Sequence, residues 1–338
     1  RLRTVTGVQT CALPILEDGV LPILHAEVED GNIRYHATAF ASLETGDLLD
    51  GGTGSPNLRG THYLVADSYG YGNMQTETQT QERQRRLPEE MEREEETVLY
   101  LRLEAHNTAP APRYAWFKLP VPNAFHVGTT LLVQYVFGDG FARYRNATGD
   151  AGRVYLAAKL NGAAMPQEEM AVLLQPGERA VVDIFLPHRP IAAERAARLL
   201  AQDFSHRHQQ VQQFWRAKLA SAAQVRLPER RIQEMLNAGL LHLDLVTYGL
   251  EPQWVTAPCI GVYCPIGSES SPIVQFYDAM GWTDLAQRSL EYFIAKQHED
   301  GFIQNFGGYM LETGAALWSM GEHYRTTGDD AWVRRIEP

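Results

Sequence analysis

The chain has 338 residues, 44% hydrophobic and 21% charged, which suits about two domains with sizeable cores and excludes a disordered chain. Lys and Arg total 30 against 41 Asp and Glu, and the net charge of −11 argues against nucleic acid or an anionic membrane surface as the main partner, since both need a basic face. No apolar run approaches the ~20 residues that span a bilayer, and three cysteines exclude a disulfide-built scaffold.

Residues 1–16, RLRTVTGVQTCALPIL, resemble the translated read-through of a sequencing adaptor, a scar found at the ends of metagenomic contigs. On that reading the segment, Cys11 included, is an artefactual leader outside the fold. The chain opens at Arg1 without Met and closes at Pro338 inside what reads as a new helix, so a fragment is expected.

Residues 17–190 read as strands. The run from Val20 to Val28 is followed by Asp30-Gly31, a hairpin signal, and then by Ile33, Tyr35, Ala37 and Ala39 on alternate positions. Further strands are expected at 98–106, 114–119, 130–137, 154–160 and 180–186, each bounded by turn-forming residues. Val98, Tyr100, Arg102 and Glu104 face one way and Leu99, Leu101 and Leu103 the other, the pattern of a half-buried strand. Many short antiparallel strands predict a β-sandwich. The nearly apolar-free stretch 75–96 reads as a solvated connection, and Asn146-Ala-Thr148 is a formal glycosylation sequon.

Pro187 and Pro190 end the last strand, and the period changes to helical steps at Ile191, Arg195, Leu199, Phe204, Val211, Trp215 and Leu219. Residues 191–225 are expected to form a helical linker, in which His206 and His208 read as surface. Four helices follow. The first covers about 229–248 with an apolar stripe through Ile232, Leu236, Leu240 and Leu243, and the second has Ser271 as N-cap and Pro272 in its first turn. The third starts at Thr283-Asp284, and the fourth covers about 311–327 and stops at Gly328. Asp329 and Asp330 then open a fifth. Trp282 and Trp318 read as core. The junction glycines Gly281 and Gly328 stand 47 residues apart, a period that marks stacked helical hairpins.

The segments Gly281-Trp-Thr-Asp-Leu-Ala286, Leu290-Glu-Tyr-Phe-Ile294, Gln297-His-Glu-Asp-Gly-Phe302, Glu312-Thr-Gly-Ala-Ala-Leu-Trp318 and His323-Tyr-Arg-Thr-Thr-Gly-Asp329 resemble the six-hairpin glycosidases. These include glucoamylase-like, trehalase-like and bacterial α-L-rhamnosidase-like enzymes. Upstream, Gly19-Val-Leu-Pro-Ile23 and Tyr35-His-Ala-Thr-Ala-Phe40 look like the sandwich strands that precede such barrels. The resemblance implies a multidomain β + α chain: a β-sandwich over 17–190, the linker 191–225, and over 226–338 the truncated start of an (α/α)6 barrel. It also implies a glycoside hydrolase working by carboxylate acid/base catalysis on an oligosaccharide or polysaccharide, with no cofactor. The alternatives are a phosphorylase of similar architecture and a non-catalytic carbohydrate-binding or scaffold protein.

In that fold the loops entering the inner helices line the sugar site, which makes 251–271 and 301–311 the candidates. They supply Trp254, Tyr263, Glu269, Gln304, Asn305 and Tyr309, with Phe302 and Phe306 beside them and Glu312 at the start of the following helix. Aromatic faces stack on sugar C–H groups, while carboxylates and amides bind hydroxyls. Glu269 and Glu312 are the candidates for catalysis within these residues; glycoside hydrolysis needs two carboxyl groups across the bond, and the resemblance implies that one of them lies further on. Glucoamylase-like enzymes have an Arg-Asp pair where this chain has Ser268-Glu269, so Glu269 reads as a hydroxyl binder rather than the proton donor. The rhamnosidase-like Asp-Glu-Arg and Gly-Asp elements are missing, and rhamnosidase activity is not expected. Cys259 and Cys264, spaced C-x4-C without a nearby His pair, read as thiols or a loop disulfide, and no metal site is expected.

Overall fold

The computed structural model describes residues 14–46, 48, 97–120, 124–126, 129–131, 135–144, 152–188, 190–248, 256–258, 265–295, 297–304 and 311–337. The stretch 75–96, expected to be a solvated connection, and the sequon at Asn146 lie outside them. The chain divides into two compact units, Arg1–Thr45 with Glu96–Gln212 and Gly46–Glu95 with Gln213–Pro338. Residues 191–212 of the expected linker therefore belong with the sheet.

The first unit is built on an antiparallel sheet. Its strands are β1 (Ile15–Glu17), β2 (Leu21–Asp30), β3 (Ile33–Leu43) and β4 (Thr97–Asn107), and then, past β5 (Arg113–Lys118), β6 (Ala124–His126) and β7 (Thr129–Leu131), β8 (Tyr135–Gly138), β9 (Phe141–Tyr144), β10 (Val154–Leu160), β11 (Ala163–Ala164) and, past β12 (Glu169–Leu174), β13 (Arg179–Pro187). The order is β1-β2-β3-β4-β13-β10-β9-β8, with β11 added to β10. Strands β5 and β12 form a separate antiparallel pair, as do β6 and β7. Ile15 and Leu16, at the end of the expected leader, pair with His25 and Leu24. Asp30 pairs with Ile33, so the hairpin turn is Gly31-Asn32, with Gly31 at the positive φ of +59° that its first position needs.

Strand β4 is covered on both faces, where its alternation predicted one open face. Leu101, Leu103 and Ala105 pack into a cluster with Ala115 and Phe117 of β5 and Leu174 of β12. On the other face Tyr100 is fully buried, stacked 5.3 Å from Phe40 and edge-on to Phe185. That face carries Arg102, a charge the sequence alone assigns to solvent. It lies beneath α1 (Ala193–Leu200) and the start of α2 (Phe204–Ala220). The Arg102 guanidinium sits 4.2 Å over the Phe204 ring and makes two bonds to Asp183, of 2.6 and 3.0 Å, so its charge is balanced where it is half-buried. His208 is also not a surface residue. It is half-buried, stacked 5.5 Å from Phe40 and 2.6 Å from the Glu17 carboxylate, and these partners lie too far away in sequence to be read locally. At the end of β3 the buried Glu44 takes two bonds from Arg195 of α1.

The second unit is helical: α3 (Arg230–Leu245), the short strands β14 (Thr247–Tyr248) and β15 (Ala257–Pro258), then α4 (Gly267–Ala279), α5 (Thr283–Ala295), α6 (Glu312–Thr327) and α7 (Asp330–Ile336). Among the described residues no helix is long and apolar enough to cross a membrane. The hairpin glycines Gly281 and Gly328 take positive φ, and Trp282 is buried against Tyr277 as expected of a core residue. Three sequence expectations are corrected. Helix α4 starts at Gly267, so Ser271 is not its N-cap and Pro272 lies inside it. Trp318 is 57% exposed, because the buried face of α6 is drawn by Ala316, Ser319, Met320 and His323, one helical turn apart, and Trp318 falls off that face. Ile232 is 50% exposed, so the apolar stripe of α3 is buried only toward its end, at Leu240.

Asp329 caps α7 as its sequence position suggests, its side chain accepting from the Trp332 amide at 2.9 Å. Replacing Asp329 by alanine is expected to destabilise the helical unit by about 1 kcal/mol, read as a lower urea midpoint at unchanged slope.

Candidate functional site

Helices α4 and α6 run parallel, side by side, on four polar rungs. The Gly267 amide meets Glu312, the Ser271 hydroxyl meets the Ala315 carbonyl, the Gln275 amide meets the Ser319 hydroxyl, and Asp278 meets His323. The sequence offsets are 45, 44, 44 and 45, so the register holds along the whole contact. In the neighbouring layer Glu291 of α5 accepts from Trp332 at 3.0 Å and from Arg335 of α7 at 3.2 Å, the latter again 44 residues on. Two successive hairpins thus stack as repeats. The 47-residue spacing of the glycines is longer than this offset because α6 has 16 residues and α4 has 13.

Parallel packing puts the N-termini of α4 and α6 at one end, where the exposed amides and aligned dipoles favour anions and hydroxyl oxygens. Both carboxylates singled out from the sequence stand there, in the first turns of their helices, but their surroundings differ. Glu312 is fully buried, and one of its oxygens accepts from the Gly267 amide at 3.1 Å. It caps the neighbouring helix. This explains why α4 begins one turn before the local Ser-Pro signal: its cap comes from 45 residues downstream. The helices approach so closely that a Cβ on Gly267 would lie 2.5 Å from the Glu312 carbonyl oxygen. Glu269 is half-buried, and its side chain makes no hydrogen bond or ion pair among the described residues. It is a carboxylate held at a helix start and not committed to the fold.

The approach to α6 is strapped down. Gly301, at φ +86°, turns the chain after α5, Gln297 bridges to Ile303, and the Thr313 hydroxyl both accepts from the Ile303 amide at 3.0 Å and donates to its carbonyl at 2.9 Å. Gln304 follows, buried and engaged. Phe302 is half-buried, with its ring edge-on to His298 at 6.5 Å. The expected site residues Trp254, Tyr263, Asn305 and Tyr309 lie outside the described residues, as do Phe306, Cys259 and Cys264.

Sequence reading passed over the Asp278–His323 pair. Both are buried, 2.8 Å apart, with the His323 ring edge-on to Trp332. The outer oxygen of Asp278 and Nε2 of His323 have no partner among the described residues. The pair lies eleven residues along α4 from Gly267, roughly 16 Å at helical rise, so it locks the far end of the helix contact and does not face the carboxylates. Its only signal in sequence is a single polar residue on each of two helices, 45 apart.

No protein-family profile matches the chain, and no curated protein matches it significantly.

Proposed function

We propose that the chain belongs to a glycoside-hydrolase-like carbohydrate-active enzyme, in which a β-sandwich precedes an (α/α)6 barrel and bonds are hydrolysed by carboxylate acid/base catalysis. One observation carries the reading: two successive hairpins stack in parallel at a constant offset, and the end where their helices begin presents the uncommitted carboxylate of Glu269. That is the arrangement expected of inner barrel helices whose leading loops line a sugar site. Leu317 and Trp318, both 57% exposed on α6, are the apolar surface that a further hairpin would cover. The paired strands β5 and β12, packed on the large sheet through Phe117 and Leu174, suit a second sandwich layer.

Glu269 stands in the first turn of α4, where its carboxyl oxygens can bond sugar hydroxyls. Glu269 is therefore assigned to substrate hydroxyls and Glu312 to the scaffold.

The test is reducing-sugar release from a glycan panel by protein expressed from the full reading frame of the gene. Release without added phosphate is expected, falling at least about tenfold in Glu269→Gln, the equivalent of about 1.4 kcal/mol of transition-state binding. Glu312→Gln is expected to act first on stability. Turnover that requires inorganic phosphate would favour the phosphorylase, and glycan binding without turnover the non-catalytic binder.

A further inference from the structure

The geometry points to a divalent transition-metal site in the sheet unit, built from Glu17 at the end of β1, His25 of β2 and His208 of α2. One oxygen of Glu17 lies 3.0 Å from Nε2 of His25 and 2.6 Å from Nε2 of His208, and the three donor atoms fall within 4.8 Å of one another. Two imidazoles converging by the same nitrogen on one carboxylate oxygen form a His2Glu donor set. Zinc is bound by such sets, with one tetrahedral position left for solvent. The imidazole donors also suit copper, nickel and cobalt, and they disfavour magnesium and calcium.

The ring orientations are set by a second layer of contacts, as metal-binding histidines require. Nδ1 of His25 is 3.3 Å from the Thr38 hydroxyl, which can accept a proton from Nδ1 once Nε2 binds metal. Thr38 is itself buried. His25 stacks on His36 at 5.4 Å, and His208 stacks on Phe40. The second oxygen of Glu17 takes a bond from the Gln212 amide, leaving the first oriented toward the histidines. The three side chains are 13–24% exposed, covered enough to limit competition from water and open enough for an ion to enter. Glu17 and His208 are 191 residues apart, so no spacing motif marks the site. An ion here would fasten α2 to the first two strands of the sheet. The inference does not depend on the carbohydrate reading.

The test is titration of the chelator-treated chain with Zn2+ by calorimetry and with Co2+ by visible absorption. One saturable ion per chain is expected. The cobalt spectrum should show ligand-field bands of a four- or five-coordinate ion without a thiolate charge-transfer band, which separates this site from the three cysteines. Affinity should fall about 10- to 100-fold in Glu17→Gln and His208→Gln at unchanged far-ultraviolet circular dichroism, and about tenfold in Thr38→Ala, which keeps all three donors. The wild-type cobalt spectrum identifies the donors even if a variant fails to fold. Absence of saturable binding, a thiolate band, or undiminished affinity in folded variants would overturn the proposal.

Discussion

Replacing Glu44 by alanine is expected to destabilise the sheet unit by about 3–5 kcal/mol, the range for removing one partner of a buried ion pair. Glu44 is fully buried and takes both Nε and a terminal nitrogen of Arg195, whose side chain is itself only 16% exposed. Its backbone carbonyl also accepts from Gln202 at 3.2 Å, and next to it the Thr45 carbonyl accepts from Arg207 at 2.9 Å. The end of β3 is thus clamped by Arg195 of α1, by Gln202 in the turn that follows it and by Arg207 of α2, and of these Arg195 bonds the carboxylate itself. Truncation removes the carboxylate that takes both Nε and a terminal nitrogen of the largely buried Arg195. Glu44→Gln keeps one acceptor and should lose less. The double variant Glu44→Leu/Arg195→Met should recover most of the loss, because it removes both charges from the low-dielectric site. Urea unfolding of the four proteins checks this. A single Glu44→Ala loss below about 1 kcal/mol would mean that solvent reaches the pair.

Gly267→Ala is expected to destabilise the helical unit by about 2–3 kcal/mol, at the upper end of the overpacking range. The added Cβ meets backbone and not a movable side chain: 2.5 Å to the Glu312 carbonyl oxygen, 2.8 Å to its Cα and 3.0 Å to its carbonyl carbon. The helices must separate, and the Glu312 cap on the Gly267 amide stretches with them. The contrast is Gly321→Ala on α6, where nothing lies within 4 Å of the new Cβ. There helix propensity alone acts, and a gain of about 0.5–1 kcal/mol is expected. Opposite signs for one chemical change, read as thermal midpoints, separate close helix packing from propensity.

These sites show what was local in the sequence and what was not. Strand β10 falls on 154–160, the span its pattern predicts, because alternation and turn residues act within a few positions. The stop of α6 at Gly328 is local for the same reason, since glycine supplies the positive φ. The start of α4 is not legible locally because its cap is Glu312, and hydrogen bonds from another helix leave no mark in the first turn's own sequence. Trp318 is exposed although its size suggests burial, because close helix packing buries the small residues Ala316 and Ser319. Arg102 on β4 hid a covered face because its counter-charge, Asp183, is 81 residues away. At the candidate site both carboxylates were legible as helix-start charges. Their division into a cap and an uncommitted group was not, since it depends on which helix lies alongside.

The proposed function places carbohydrate binding at the end where α4 and α6 begin, through Glu269. The most direct measurement is calorimetric titration of the chain with an oligosaccharide panel, comparing wild type, Glu269→Gln and Glu17→Gln. Saturable binding of at least one oligosaccharide is expected, weakening about tenfold or more in Glu269→Gln and unchanged in Glu17→Gln, whose carboxylate belongs to the other unit. Binding that is indifferent to Glu269, or no binding across the panel, would contradict it.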